Sequence, residues 1–168
     1  ALVAVHQVHS ADVACVSSPD SAAGQQADAM VTDQPGIALS VLTADCMPVL
    51  LADPEAGVIG AVHAGWRGAL DGVLEATLDA MVRLGAERAE ISAVIGPCIS
   101  QRAYEVGPEF LERFMAEDPG YNWFFVNGEG GRYLFDLPGF GLHRLREAGV
   151  GHAEWTRHCT YAQSDLFY

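Results

Sequence analysis

The chain has 168 residues, half of them hydrophobic and 18% charged, which is enough for one domain with a sizeable core. Nine basic residues against 22 acidic ones give a formal charge of −13, which argues against nucleic acid and anionic membranes as partners, since both need clustered Lys and Arg. No apolar stretch reaches the ~18–20 unbroken residues of a membrane helix, and no basic segment precedes an apolar one in the manner of a signal peptide.

Ala1 to Val16 alternates enough for one or two strands and carries Gln7-Val8-His9. Ser17 to Gln26 is small and polar and reads as a loop; Ala27 to Thr32 is strand-like, and Asp33 to Gly36 is a turn. The central stretch, Gly36 to Leu70, holds apolar runs at Ile37–Leu42 and Val49–Ala52 that read as buried on both faces. Asp53 to Gly57 is a turn by composition, and Val58 to Val62 is a second buried strand ending at His63. Ala69 to Leu84 fits one amphipathic helix, with Leu70, Val73, Leu74, Thr77, Leu78, Met81 and Val82 at spacings of three and four and Gly85 as its stop. Ile91 to Ile95 is a third buried strand and Pro108 to Ala116 a short helix. Glu117 to Arg132 reads as a long loop, Tyr133 to Phe135 as a strand, Leu137 to Ala148 as a helix with Pro138 in its first turn, and Ala153 to Thr156 as a last strand. This is one mixed α+β domain with several buried strands and about three helices, and no internal repeat or linker stands out.

Reactive side chains gather at the ends of these elements. His9, Cys46 and His63 form a set of two imidazoles and one thiol if the strand ends converge. That set suits a catalytic zinc with an open fourth position, and equally the equatorial ligands of a copper site. Arg67, where HAGWRG turns into a helix, is the best anion donor; the plainer reading pairs it with a surface acid. Trp66 offers a flat face for a purine or sugar, or simply core bulk. Asp45 reads either as a histidine-orienting acceptor or base, or as a surface aspartate. Cys98, after Gly96-Pro97, reads as a buried thiol or as a nucleophile with His158 as its base. His6, His143, His152 and Cys15 read as structural. The four cysteines lack a CxxC spacing and read as reduced thiols in a cytoplasmic setting.

Several stretches together resemble one family. They are Gln7-Val8-His9, Ala27–Thr32 (ADAMVT), Thr43–Leu51 (TADCMPVLL), Ala61–Gly68 (AVHAGWRG), Ile95–Ser100 (IGPCIS), Tyr104–Gly107 (YEVG) and His158–Tyr161 (HCTY). They are similar to the laccase-domain proteins, first labelled multicopper polyphenol oxidases and now described as zinc-dependent purine nucleoside phosphorylases with adenosine deaminase activity. The resemblance implies metal ligands at His9, Cys46 and His63, with Arg67, Cys98 and His158 in motifs lining the same pocket. It implies phosphorolysis of adenosine, inosine, guanosine and methylthioadenosine, deamination of adenosine, and a fold of mixed sheets flanked by helices, similar to a cysteine-hydrolase-like toxin domain.

The resemblance also implies that residues 1–168 are a single laccase-type domain lacking N- and C-terminal segments of a longer protein, with Ser10 standing where glycine is common. The expected ion is zinc, with copper as the alternative. The expected partners are a purine nucleoside and phosphate, and the expected state is a monomer or homodimer. Six histidines are too few for a four-copper oxidase within one chain. The rival readings are a copper-dependent polyphenol oxidase, a metal-free cysteine hydrolase and a non-catalytic nucleoside-binding domain.

Overall fold

The computed structural model describes residues 1–167. Its strands are β1 Leu2–Val3, β2 Val13–Cys15, β3 Ala29–Thr32, β4 Ala38–Leu39, β5 Met47–Asp53, β6 Val58–Ala64, β7 Ser92–Ile95, β8 Glu105–Val106, β9 Phe125–Asn127, β10 Tyr133–Phe135 and β11 His152–Trp155. Its α-helices are α1 Trp66–Asp71, α2 Val73–Arg83, α3 Pro108–Glu117 and α4 Leu137–Glu147. The fold is mixed α+β. A six-stranded sheet runs β11-β7-β5-β6-β3-β2, antiparallel at its centre, with the outer pairs β7–β11 and β2–β3 parallel. A three-stranded antiparallel sheet (β8-β10-β9) and a parallel β1–β4 pair complete it.

The β5–β6 hairpin is the frame. Asp53 closes its turn: Oδ1 accepts from the backbone N–H of Glu55 and Ala56 at 3.0 Å each. Along β5, Met47, Val49 and Leu51 are buried beneath helices, while Leu50 between them is 59% exposed. The apolar run therefore does not mean burial on both faces, because the face bearing Leu50 and Ile59 is open. Ile37–Leu42 departs further from expectation. Only Ala38–Leu39 forms a strand, and Leu42 is 80% exposed.

The expected single helix over Ala69–Leu84 is two. Gly72, with φ of 96°, ends α1 and starts α2, turning the chain in a left-handed conformation that other residues adopt at a cost. Helix α2 buries Val73, Leu74, Thr77, Leu78, Ala80 and Met81; each of the larger aliphatic side chains stabilises the fold by about 1.5–3 kcal/mol. The expected loop at 117–132 contains a 3₁₀ segment, Pro119–Phe124, followed by β9, which pairs with β10. Its aromatic residues explain the difference. Phe124 and Phe125 are buried beside Phe114, Phe135 and Phe140, so the segment is anchored by its own rings. Trp66 packs against Phe110 at 4.8 Å between ring centroids, as part of this core.

Candidate metal centre

The register of β5 and β6 sets two of the three candidate ligands. Met47 pairs with Ala64 and Pro48 with His63, so Cys46, one residue before β5, faces Gly65 at the end of β6. His63 is buried within β6. The third ligand, His9, arrives from the irregular segment between β1 and β2 and is exposed. Ligand atoms of His9, Cys46 and His63 all lie within 4.8 Å of one another. The His9 and His63 rings meet edge to face, 4.7 Å between centroids, and Cys46 Sγ is 4.0 Å from His9 Nε2.

The motif HAGWRG makes room for this meeting. A Cβ on Gly65 would lie 3.0 Å from Cys46 Sγ and 3.1 Å from His9 Cδ2, and one on Gly68 would lie 3.0 Å from the Ser10 carbonyl oxygen. Both glycines let the His9 segment approach the start of α1.

A residue outside the expected set stands beside the ligands. Asp28, immediately before β3, is fully buried and faces His63 across the sheet. The His63 backbone N–H donates to the Asp28 carbonyl at 2.7 Å, and Asp28 Oδ1 is 2.8 Å from His63 Nδ1. A carboxylate only accepts, so Nδ1 carries the proton and Nε2 is left free to bind a metal. Burial pushes the Asp28 carboxyl up, but hydrogen bonds from His63 and from the N–H groups of Ser10, Val8 and His9 outweigh it and hold it below the usual carboxylate range. The signal in the sequence was an acid set among the small apolar residues of ADAMVT.

Burial pushes the Cys46 thiol up, aided by the charges of Asp45 and Asp28. Asp45 itself is exposed and accepts from Thr160 Oγ at 3.0 Å; the aspartate that binds a histidine is Asp28. Arg67 is exposed, with its guanidinium carbon 5.3 Å from the Trp66 ring centroid. It has no acidic partner among the described residues. Helix α1 has six residues, too short to build an anion site from its own dipole, so Arg67 contributes its side-chain charge.

Cys98 is completely buried, and burial first, then the neighbouring Cys159, push its thiol up to about 12. His158 contacts Cys98 through its backbone, its carbonyl accepting from the Cys98 N–H at 3.2 Å, while its ring Nδ1 lies 3.2 Å from Gln163 Oε1. A shallow cavity of about 360 Å³, lined by Thr43, Ala44, Pro48, Pro97, Thr160 and Phe167, opens beside the Cys46 segment.

The donor set fits a divalent metal. It offers two imidazoles and a thiol, one ring braced by a carboxylate, with His9 exposed so that solvent reaches the group. Among the described residues, this is the one group of three such ligands.

Residues 1–168 match the family described as multi-copper polyphenol oxidoreductase laccase. A Deinococcus radiodurans protein named purine nucleoside phosphorylase is 42% identical over 163 residues, covering 97% of this chain and 62% of its own length. Streptomyces griseus purine nucleoside phosphorylase ORF3 is 43% identical over 169 residues, covering 99% of this chain and 67% of its own length. The crystal structure of Neisseria meningitidis protein NMB0706 superposes with a TM-score of 0.88 at 35% identity, covering 98% of this chain and 66% of that one. The chain thus spans about two thirds of the length of the proteins it matches. With a family match along all its residues, close relatives and a shared fold, the chain belongs to the multi-copper polyphenol oxidoreductase laccase family.

Proposed function

We propose that this chain carries the metal centre of a zinc-dependent purine nucleoside phosphorylase that also deaminates adenosine. It would act in the cytoplasm, as a monomer or homodimer, on adenosine, inosine, guanosine and methylthioadenosine. The observation that carries this reading is the convergence of His9, Cys46 and His63 at an accessible surface, next to the helix that bears Arg67. The relatives' names, purine nucleoside phosphorylase, support its phosphorolysis part. His9, Cys46 and His63 would hold the ion, which when bound supplies Lewis acidity and an activated water.

The chain's own residues have separable roles. Arg67, without an acidic partner among the described residues, would hold phosphate. In phosphorolysis a phosphate oxygen bonds to the anomeric carbon as the glycosidic bond to the purine nitrogen breaks and its electron pair leaves with the base. In deamination water adds at purine C6 and ammonia leaves, and Asp45, exposed beside Cys46, would move the proton. Cys98 and His158, joined through the Cys98 N–H and the His158 carbonyl, would be further residues of this site.

One compact ligand group favours a single ion over a four-copper oxidase. The buried, high-pKa Cys98 thiol, with no base hydrogen-bonded to its sulfur among the described residues, disfavours a cysteine hydrolase. The test is to incubate zinc-loaded protein, prepared with its full flanking segments, with adenosine and phosphate and to separate the products by chromatography. Adenine, ribose 1-phosphate and inosine are expected. Their absence at every metal loading sinks the reading. Saturable nucleoside binding without turnover would leave a binding domain in its place.

A further inference from the structure

We propose that Asp28 is the positioning residue of the metal centre, one buried carboxylate that holds two of the three ligands in place before any ion arrives. The inference rests on the metal-site reading above and deepens it. Oδ1 takes the His63 ring, through the 2.8 Å contact with Nδ1. Oδ2 takes the backbone on both sides of His9. It accepts from the N–H of Val8 at 3.1 Å, the N–H of Ser10 at 2.6 Å and the Ser10 hydroxyl at 3.0 Å.

The second grip accounts for an uncommon backbone conformation. His9 has φ of 61°, in the left-handed region that few residues other than glycine enter, histidine among the more tolerant of them. Such a conformation persists only where its surroundings over-determine it. Here the N–H groups before and after His9 both converge on one buried oxygen, and this wraps the segment so that the His9 ring meets His63 edge to face. Ser10 reinforces the wrap. Its hydroxyl donates to Asp28 and accepts from the Asp12 N–H at 3.1 Å, fastening the exit of the turn. Ser10, which stands where the family resemblance leads one to expect glycine, therefore adds two hydrogen bonds that glycine lacks.

The Asp28 carboxylate sits between β3 and β6, where the sheet fixes it; its own backbone carbonyl accepts from His63 N–H. The irregular His9 segment is thus clamped to the sheet. A carboxylate is the one group of this size that offers four lone-pair sites with no proton of its own to misplace. An amide at this position must turn its NH₂ either toward the His63 Nδ1–H or toward the donors around His9, and either choice breaks one grip.

The test is zinc binding by metal-free protein, read by competition with a chromophoric chelator, for wild type, Asp28→Asn, Asp28→Glu and Ser10→Ala, with circular dichroism as the folding control. Asp28→Asn is expected to bind zinc roughly 10- to 100-fold more weakly. Ser10→Ala should lose less, and Asp28→Glu should recover part of what Asn loses. In the cobalt-substituted protein the thiolate-to-cobalt absorption should shift in Asp28→Asn, a change that loss of stability alone does not produce. Should Asp28→Asn fail to fold, nitrogen-15 NMR of wild-type metal-free protein decides the point. A neutral His63 ring protonated at Nδ1 supports the proposal, and one protonated at Nε2 overturns it. Asp28→Asn binding zinc as tightly as wild type overturns the proposal alone. Wild-type protein that takes up no zinc overturns the metal reading and this proposal with it.

Discussion

Gly65 and Cys46 face each other at the end of the β5–β6 ladder so closely that a Cβ on Gly65 would lie 3.0 Å from the Cys46 sulfur. The same Cβ would press on His9 Cδ2 at 3.1 Å. The glycine in HAGWRG is thus a spacing element of the ligand group. Gly65→Ala is expected to force the thiol and imidazole apart by a few tenths of an ångström. Overpacking of this kind costs about 1–3 kcal/mol. His9 is exposed and able to yield, so most of the loss should appear in metal affinity, about tenfold or more, and little in the stability of the metal-free fold. Competition titration beside thermal melts measures both; an unchanged zinc affinity refutes the spacing argument.

The ligands themselves make a sharper expectation. His63→Ala removes both a donor and the group that Asp28 faces, leaving a buried carboxylate without its ring partner. Metal content should fall to background and turnover with it. Stability should also drop, by about 1–3 kcal/mol, because a buried acceptor loses its donor. Metal analysis of the purified variant, with denaturant unfolding, tests the pair of effects. Full metal occupancy in this variant removes His63 from the ligand set.

The four free cysteines should separate by accessibility and by thiolate content. Cys15 is exposed and Cys46 half-buried; Cys98 and Cys159 are buried. At pH 8 a thiol pushed up to about 12 is almost entirely protonated, so Cys98 is doubly protected. Iodoacetamide labelling followed by mass spectrometry should show Cys15 modified first, then Cys46, with the other two reacting only on unfolding. Zinc should suppress labelling at Cys46 and leave Cys15 unaffected. Equal labelling of Cys46 with and without zinc argues against its role as a ligand.

Asp53 lies far from the metal group along β5 and offers a pH test of the frame. Hydrogen bonds from the N–H groups of Ala56, Glu87 and Glu55 outweigh burial and hold its carboxyl below the usual carboxylate range. A group whose folded pKa is depressed adds stability that is complete above its unfolded pKa, about 4, and that vanishes as pH falls through the folded value. Asp53→Asn should therefore be less stable than wild type at pH 7, with the gap narrowing below about pH 4. Urea unfolding at the two pH values measures it; a gap independent of pH contradicts the assignment.

Gly72, at φ 96°, separates α1 from α2. Gly72→Ala is expected to cost about 1–2 kcal/mol from the left-handed backbone alone. In a domain of this size that lowers Tm by roughly 2–8 °C. A variant melting with wild type would mean that the two helices can merge into the continuous one their apolar spacing describes.

The local patterns of the chain were sufficient for most elements. Alternation and apolar runs marked β5, β6 and β7; three- and four-residue spacing marked α2; Pro108 and Pro138 marked the starts of α3 and α4. These are properties of neighbouring residues, and hydrophobic periodicity reports them directly. The same patterns misjudged Leu50 and Leu42, because an apolar side chain does not reveal whether anything covers it. They read one helix where Gly72 makes two, because helical spacing carries on across a break.

The candidate site divides in the same way. His9, Cys46 and His63 were visible as reactive residues at element ends, and their residue types already limited the metal chemistry. Their meeting depended on strand register and on two glycines that admit the His9 segment, which are contacts between parts of the chain 17 to 58 residues apart. Asp28 was hidden for the same reason. Its importance comes from facing His63, 35 residues away, and the backbone around His9, 18 to 20 residues away. Sequence alone determined which chemical groups the protein has to work with. Only the folded sheet decided which of them share a carboxylate, because hydrogen bonding and metal ligation depend on distances that chain order does not encode.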